Sequence, residues 1–278
     1  MKIENSRQHT LSRLSKILDE EIESFKNRPL NQIPYVILDA RYERVRHKGC
    51  VRDVAVLVAT GINLQGKREV LGFSVSLSEA EVHWREFLQS LTKRGLHGVE
   101  YIVSDDHEGL KAARKAVFPN VVWQRCQFHF AQNAQSYSPK RALKKPIAEA
   151  VRDIFNCPSV DDALSMKEKV IKKFEDSAPL FVKWLDINIE ECFSVYSLPR
   201  SFHVKLRTVN SLENLNREIK RRTFLASIFP NEQACSRLVG AILMEIHETW
   251  ISDPLHYLYM PDREELIKNN KIYRRNVA

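Results

Sequence analysis

The sequence is poor in glycine, in regularly spaced cysteines and in long apolar runs, and each scarcity excludes a class of protein. Its five cysteines are odd in number and widely spaced, which indicates a reducing compartment rather than a disulfide framework. The longest apolar stretch, residues 54–62, is too short to span a membrane, and the N-terminus lacks the apolar segment of a signal peptide. No glycine-rich phosphate-binding loop stands out. A cytoplasmic protein is therefore expected.

The positions of the eight glycines divide the chain. Seven lie at or before Gly109, which predicts strands and turns in the first part and mostly helices in the second. Apolar runs and turn residues predict five strands, at residues 35–40, 51–61, 68–76, 100–104 and 121–124. Two helices are predicted between the later strands. An α/β fold with a mixed five-stranded sheet follows. Residues 138–207 are predicted as a helical insertion, and further helices are predicted at residues 210–224 and 232–251.

The formal charge of +8 modestly favours a polyanionic partner, and the distribution of charge is more informative. Residues 109–148 contain eight Lys or Arg and no Asp or Glu, and residues 200–222 contain seven basic residues against two acidic ones. Such blocks are typical of surfaces that hold a phosphate backbone without reading its sequence. Two solvated helix faces are the alternative, especially for the cluster at residues 140–145.

Three carboxylates occupy positions that suit a metal site. Asp39 lies in the apolar run PYVILDARY, Asp105 ends the run in VEYIVSDDHEGL, and Glu213 lies in the helical pattern NSLENLNREIKRR. A carboxylate at the end of an apolar strand is costly to bury alone and usually has a partner such as a cation. Three carboxylates can hold two Mg²⁺ ions, which activate a nucleophile and stabilise the leaving oxygen of a phosphodiester.

Helical geometry allows two roles for Glu213. At 100° per residue, Leu212, Leu215 and Ile219 form one apolar stripe, and Glu213 lies on the adjacent stripe with Asn216 and Lys220, bordering the buried face. Alternatively, Asn210 is the N-cap and Glu213 completes a capping box. Glu218 lies on another side of the helix, where a surface ion pair with Arg221 and Arg222 explains it.

Two further features border Asp105. Asp106 is a rival metal ligand, but it is predicted to cap a helix that begins at His107. Cys126 and His129 form a C-x₂-H pair just past the fifth strand. As a zinc site this pair is incomplete, because no second Cys/His pair lies at suitable spacing, so a core thiol and a hydrogen-bonded imidazole are favoured.

The stretch DDHEGLKAARKAVFPNVVWQRCQFH, residues 105–129, closely resembles the diagnostic pattern of Mutator-type transposases of bacterial insertion sequences. That pattern is Asp, three residues, Gly and an apolar residue, a helical stretch, then Gln or Arg, one residue, and C-x₂-H. The segments YVILDARYERVR, GKREVLGFSVS, TVNSLENLNREIKRRT and IFPNEQACSRLVGAIL also resemble landmarks of this family. The similarity runs from about residue 10 to residue 260.

The resemblance implies a ribonuclease-H-like fold and a DDE active site at Asp39, Asp105 and Glu213. It implies Mg²⁺- or Mn²⁺-dependent cleavage of DNA at transposon ends, transfer of the 3′-hydroxyl into target DNA, and self-association during the reaction. Cys126 and His129 match the element that is taken to support the active site. Basic residues near these regions are candidate DNA contacts: Arg41, Arg46, Lys111, Arg125, Arg217, Lys220, Arg221 and Arg222.

The resemblance also divides the chain. Residues 1–33 resemble the end of the family's N-terminal helical DNA-binding region, residues 34–137 and 208–252 form the ribonuclease-H-like core around the insertion at 138–207, and residues 253–278 form a C-terminal tail. Most of the N-terminal region is expected to be missing. An inactive remnant that only binds DNA non-specifically is therefore the alternative function, and a general nuclease of the same fold is a third.

Overall fold

The computed structural model describes the backbone of residues 2–277 and the side chains of residue 13 and residues 15–269. Within this range the strands are β1 (Tyr35–His47), β2 (Cys50–Ile62), β3 (Arg68–Ser76), β4 (Tyr101–Ser104) and β5 (Val122–Arg125). The helices are α1 (Lys2–Asn27), α2 (Glu81–Lys93), α3 (Glu108–Val117), α4 (Gln127–Ala134), α5 (Arg141–Phe155), α6 (Val160–Phe174), α7 (Pro179–Asn188), α8 (Arg200–Leu206), α9 (Asn210–Thr223), α10 (Glu232–Ser252) and α11 (Pro261–Val277). Short 3₁₀ turns follow α4, α7 and α9.

Backbone contacts divide the chain into two compact units. The first consists of Met1–Glu100, His107–Asn120 and Leu212–Tyr257, and the second of Tyr101–Asp106, Val121–Ser211 and Leu258–Ala278. β1 to β3 belong to the first unit and β4 and β5 to the second.

The first unit is built on an antiparallel meander in which β2 pairs with both β1 and β3. The last nine residues of β2 are all buried, which shows that both faces of this central strand are covered. A two-residue turn joins β1 to β2. Its residues Lys48 and Gly49 have φ values of 47° and 83°, and such a turn follows the right-handed twist of the paired strands.

β1 is longer than its apolar run predicts. It continues to His47, and every residue from Tyr35 to His47 has a partner in β2. Asp39 therefore lies inside the strand rather than at its end, which corrects the prediction. The second half, Arg-Tyr-Glu-Arg-Val-Arg-His, is mostly polar and gives no strand signal in the sequence, because its order comes from pairing with β2.

Helix α10 covers the sheet of the first unit, packing on β3 and on α1. Gly240 allows this close approach. A Cβ atom at this position would lie 2.9 Å from Cγ2 of Ile22 and 3.0 Å from the ring of Phe73. Any larger residue would therefore push α10 away from both neighbours.

The second unit combines the parallel pair β4–β5 with a helical cluster. Buried side chains from α4, α5, α6 and α7 form its core, among them Phe130, Ile154, Val170 and Phe181. Helices occupy most of residues 138–207, as predicted. The residues predicted as a C-terminal tail include α11, and buried Leu258 and Met260 precede this helix.

The chain is thus an α/β protein with a mixed five-stranded sheet, as the sequence predicts. The domain boundaries and the ribonuclease-H-like assignment stay predictions. Among the described residues, no helix combines the length and apolar character that crossing a bilayer requires.

His247 on α10 is a half-buried histidine in the first unit. Its Nδ1 accepts a hydrogen bond of 3.3 Å from the backbone N–H of Val70, and its ring meets Phe25 edge-on with centroids 5.2 Å apart. Burial, together with the nearby cation of Arg28, lowers the pKa of His247 to about 4. The folded unit therefore holds this imidazole neutral.

Acid should destabilise the first unit through this histidine. The pKa is about 6.5 in the unfolded chain and about 4 in the folded one. The stabilising contribution is therefore complete above pH 6.5 and is lost as the pH falls toward 4. The variant His247→Gln keeps a hydrogen-bond acceptor but does not titrate. We expect its free energy of unfolding, measured by urea titration, to fall less between pH 6.5 and pH 4 than that of the wild-type chain. Exposed His97→Gln is the control, and equal acid sensitivity in both variants would contradict the assignment.

Candidate active site

Asp39 is a buried carboxylate on β1. It is 9% exposed and follows Ile37 and Leu38, which are completely buried. An isolated carboxylate in such a place would be strongly disfavoured. Its Oδ2 accepts a hydrogen bond of 2.8 Å from Nδ2 of Asn216, which lies on α9. This contact joins the strand of Asp39 to the helix that carries Glu213.

The same face of β1 is fastened to α9 at two further positions. Arg41 donates to the backbone carbonyl of Asn216 and forms an ion pair of 2.6 Å with Glu43. The hydroxyl of Thr223 donates to Glu43 over 3.1 Å. Alternate residues of a strand share a face, so these contacts fix the helix along the strand over about two helical turns.

Glu213 is half-buried and borders the apolar stripe of α9. Leu212, Leu215 and Ile219 are buried, as the predicted apolar stripe requires. Glu213 precedes Asn216 by three residues, so the two side chains are neighbours on the helix surface. The helix begins at Asn210 itself, one residue earlier than the capping-box alternative needs.

Asn216 provides the test of whether this place suits a cation. Its Oδ1 is buried and accepts no hydrogen bond from the residues that the structure describes. Together with the carboxylates of Asp39 and Glu213, this amide oxygen makes a set of hard oxygen donors within the first unit. Oxygen donors of this kind are the ligands that Mg²⁺ and Mn²⁺ prefer. The residues present therefore fit a hard divalent cation.

Asp105 directly follows β4 in the second unit. Its side chain is 39% exposed, and its Oδ1 accepts a hydrogen bond of 2.7 Å from the backbone N–H of Asp106. Nδ1 of His129, on the first turn of α4, lies 3.9 Å from the same oxygen. The C-x₂-H element thus brings its imidazole to the predicted catalytic aspartate.

Cys126 is completely buried at the junction of β5 and α4. Its backbone N–H donates to the carbonyl of Ser104 over 2.8 Å, and its thiol accepts the backbone N–H of Val209 at 3.4 Å. Ser104 directly precedes Asp105, and Val209 directly precedes α9. Cys126 is therefore a core residue whose backbone and thiol together join two segments that lead to predicted catalytic residues.

The predicted capping role of Asp106 is wrong. Helix α3 begins at Glu108, and its N-cap position, His107, makes no side-chain cap. Oδ2 of Asp106 instead pairs with Arg125 at 2.8 Å, and Arg125 also pairs with Glu191 at 3.1 Å. Arg125 is only 2% exposed, and a buried guanidinium needs carboxylate partners more than a helix end needs a cap. Glu191 lies far away in sequence, and no local signal marks it.

Two of the predicted DNA contacts are corrected by their burial. Arg125 is held inside the second unit by its two carboxylates. Arg41, whose side chain is 13% exposed, is occupied by Glu43 and by α9. Both cations are therefore structural and are not presented to a DNA backbone.

The other predicted contacts differ in exposure. Arg46, Arg217, Lys220 and Arg221 are exposed, whereas Lys111 and Arg222 are half-buried. Glu218 accepts hydrogen bonds of 2.7–2.9 Å from Arg221 and Arg222, which confirms the predicted surface ion pair. These hydrogen bonds lower the pKa of Glu218 to about 2. Arg217 and Lys220 are then the exposed cations of α9 that no carboxylate neutralises among the described residues.

The complete catalytic trio stays a prediction. Asp39 and Glu213 lie in the first unit, and Asp105 lies in the second. Within the described part of the chain, no group of three or more His, Cys, Asp or Glu side chains is arranged to hold a metal ion.

Comparison with known proteins extends over most of the chain. A family model described as "Transposase, Mutator family" matches residues 2–253. The transposase for insertion sequence element IS406 of Burkholderia multivorans is 45% identical over 90% of this chain and 65% of that protein. The transposase for ISRM5 of Rhizobium meliloti is 39% identical, over 92% of this chain and 64% of that protein. The transposase for IS256 in transposon Tn4001 of Staphylococcus aureus is 36% identical, over 89% and 64%.

Matches of this extent define the chain as a transposase-family sequence, although it spans slightly less than two thirds of the length of these relatives. In particular, the chain belongs to the Mutator family of transposases. The resemblance seen in residues 105–129 is thereby confirmed.

The buried ion pairs of Arg125 should matter more than the exposed ones of Arg221. Arg125→Met leaves Asp106 and Glu191 without their cation, and we expect it to lower the free energy of unfolding by about 3 kcal/mol. Arg221→Met removes an ion pair whose arginine is 70% exposed and screened by solvent, and we expect it to leave the free energy of unfolding nearly unchanged. Urea unfolding of both variants measures the difference. Equal losses would show that Arg125 is not a structural cation.

Proposed function

We propose that this chain is the catalytic part of a DDE transposase with a ribonuclease-H-like fold. It cleaves DNA at the ends of an insertion sequence and transfers the 3′-hydroxyl into target DNA. Asp39, Asp105 and Glu213 are its catalytic carboxylates. The observation that carries the proposal is the 2.8 Å contact by which buried Asp39 meets the helix of Glu213. Membership of a transposase family supports the same reaction.

The proposed site holds Mg²⁺ or Mn²⁺ through Asp39, Asp105 and Glu213. When bound, the cation supplies a Lewis acid that activates the attacking hydroxyl and stabilises the leaving oxygen of the phosphodiester. The protein's own residues orient the carboxylates. Asn216 orients Asp39 through Nδ2, and Arg41 orients Asn216 through its backbone carbonyl.

The second unit orients Asp105 in a comparable way. The backbone N–H of Asp106 and the imidazole of His129 both face Oδ1 of Asp105, which limits rotation of the carboxylate. Cys126 acts indirectly, because it holds the backbone of Ser104, which precedes Asp105, and of Val209, which precedes α9. We therefore assign His129 and Cys126 as positioning residues rather than metal ligands.

The DNA partner is proposed to contact the exposed cations of α9 and β1. Arg217 and Lys220 lie on the solvent side of the helix that bears Glu213, and Arg46 lies exposed on β1. Cations at these places can hold the phosphate backbone near the carboxylates without reading the sequence. Because an element has two ends, at least two copies of the chain are proposed to act together on DNA.

Neutral isosteres of the carboxylates test the catalytic assignment. We expect Asp39→Asn and Glu213→Gln to lower Mg²⁺-dependent nicking and strand transfer by about a thousandfold, because each removes a charge that holds the cation. Gel assays on DNA containing the element's ends measure both steps. Glu218→Gln, the same change on the same helix, is the matched control and should retain activity.

The same assay separates the proposed function from its alternatives. Cleavage confined to element ends supports a transposase, and equal cleavage of random DNA indicates a general nuclease. Salt-sensitive binding without cleavage, in a protein that folds normally and has Mg²⁺ supplied, contradicts the proposal and identifies a remnant that only binds DNA.

The exposed cations predict a specific salt dependence. Arg217→Gln and Lys220→Gln should each lower the slope of log affinity against log salt by about 0.9, the value for one phosphate contact. Fluorescence anisotropy at several salt concentrations measures this slope. Lys93→Gln, an exposed lysine on α2, should leave it unchanged. Unaltered slopes in all three variants would show that α9 does not contact DNA.

A further inference from the structure

A cavity of about 540 Å³ lies entirely within the second unit, beside the C-x₂-H element. Gln127 and Phe128, the two residues between Cys126 and His129, both line it. Cys126 therefore packs in the core and His129 lies beside Asp105, whereas the two residues between them line the cavity. Its volume lies within the range of roughly 300–1,000 Å³ that is usual for ligand pockets.

Gln127 forms part of the wall of this cavity and is itself buried. Its side chain is 3% exposed, and its amide nitrogen donates to the carbonyl of Cys192 over 3.0 Å. Its Oε1 is buried and accepts no hydrogen bond from any residue that the structure describes.

The remaining lining groups suit an anionic aromatic ligand. Phe128 is 41% exposed, so part of its ring is available for stacking. Arg152 and Arg207 also line the cavity, and neither forms an ion pair with a carboxylate among the described residues. Arg207 is held in place by the carbonyl of Phe155 at 3.1 Å and by Oδ1 of Asn156 at 3.3 Å. The lining includes no Asp or Glu.

From these groups we propose that the cavity receives one unpaired nucleobase of a DNA strand, together with its phosphate. The base stacks on Phe128, and Arg152 and Arg207 hold the flanking phosphate. A base inside a duplex cannot stack on Phe128, because both of its faces are covered by neighbouring base pairs. The identity of the ligand as DNA rests on the proposed function, and the cavity chemistry alone indicates a nucleotide.

Binding to a duplex with one unpaired adenine tests the proposal. Stacking is worth about 1–3 kcal/mol per base, so the chain should bind this bulged duplex at least about fivefold more tightly than a fully paired one. An abasic bulge, which has the same backbone geometry without the base, should lose this preference. Anisotropy in the presence of EDTA measures all three affinities. Equal binding of the adenine and abasic bulges would overturn the proposal.

Two variants assign the preference to the cavity. Phe128→Ala should bring the ratio of bulged to paired affinity close to one and leave paired-duplex affinity unchanged, whereas Leu180→Ala, a 70% exposed residue on α7, should keep the wild-type ratio. Arg152→Gln should lower the ratio, and Arg141→Gln, an exposed arginine on the same helix, should not. A full ratio in Phe128→Ala would overturn the assignment, and thermal unfolding checks that each variant folds.

Two further measurements are needed. The first shows whether the bound base belongs to DNA or to a free nucleotide, and the second shows whether base binding is independent of catalysis. Free dAMP should displace the bulged duplex only weakly, since it lacks the neighbouring phosphates; displacement at equal concentrations would assign the cavity to a mononucleotide. Asp39→Asn should keep the adenine preference, because that residue lies in the other unit. In the wild-type chain, an adenine preference without nicking at element ends counts against the catalytic proposal alone, and nicking without an adenine preference counts against the cavity alone.

Discussion

The contact between the Asp39 carboxylate and the Asn216 amide is the constraint on which the catalytic proposal depends. It places a charge in the buried part of β1 and gives that charge a partner on α9. The apolar stripe of α9 supplies packing but would tolerate small rotations of the helix. The polar contacts of Asp39, Arg41 and Glu43 remove this freedom, because each needs a particular position on α9.

The second unit uses different chemistry for a comparable task. Buried Arg125 gathers the carboxylates of Asp106 and Glu191, and the Cys126 thiol accepts the backbone N–H of Val209. Arg125 and Cys126 are both buried and lie on either side of the junction between β5 and α4. In this chain the C-x₂-H element supplies a buried thiol and an imidazole 3.9 Å from Asp105, and the two residues inside it line a cavity.

Local patterns account for most of the fold that the sequence predicts. The apolar run of β1, the stripe of α9 and the surface pairing of Glu218 depend on neighbours within a few residues, and all three predictions are confirmed. The polar half of β1 and the pair of Asp106 with Arg125 depend on partners distant in sequence, so periodicity gives no sign of them. The capping prediction failed because a local preference of about 1 kcal/mol competed with a buried charge.

The central claim is that Asp39 and Glu213 hold a divalent cation with Asp105. Crystals grown with Mn²⁺ test it most directly, because anomalous scattering locates the ion independently of any assay. The account predicts a Mn²⁺ peak within about 2.5 Å of carboxylate oxygens of Asp39 and Glu213, absent in Asp39→Asn crystals. A peak held by other residues while these two carboxylates remain without an ion would contradict it.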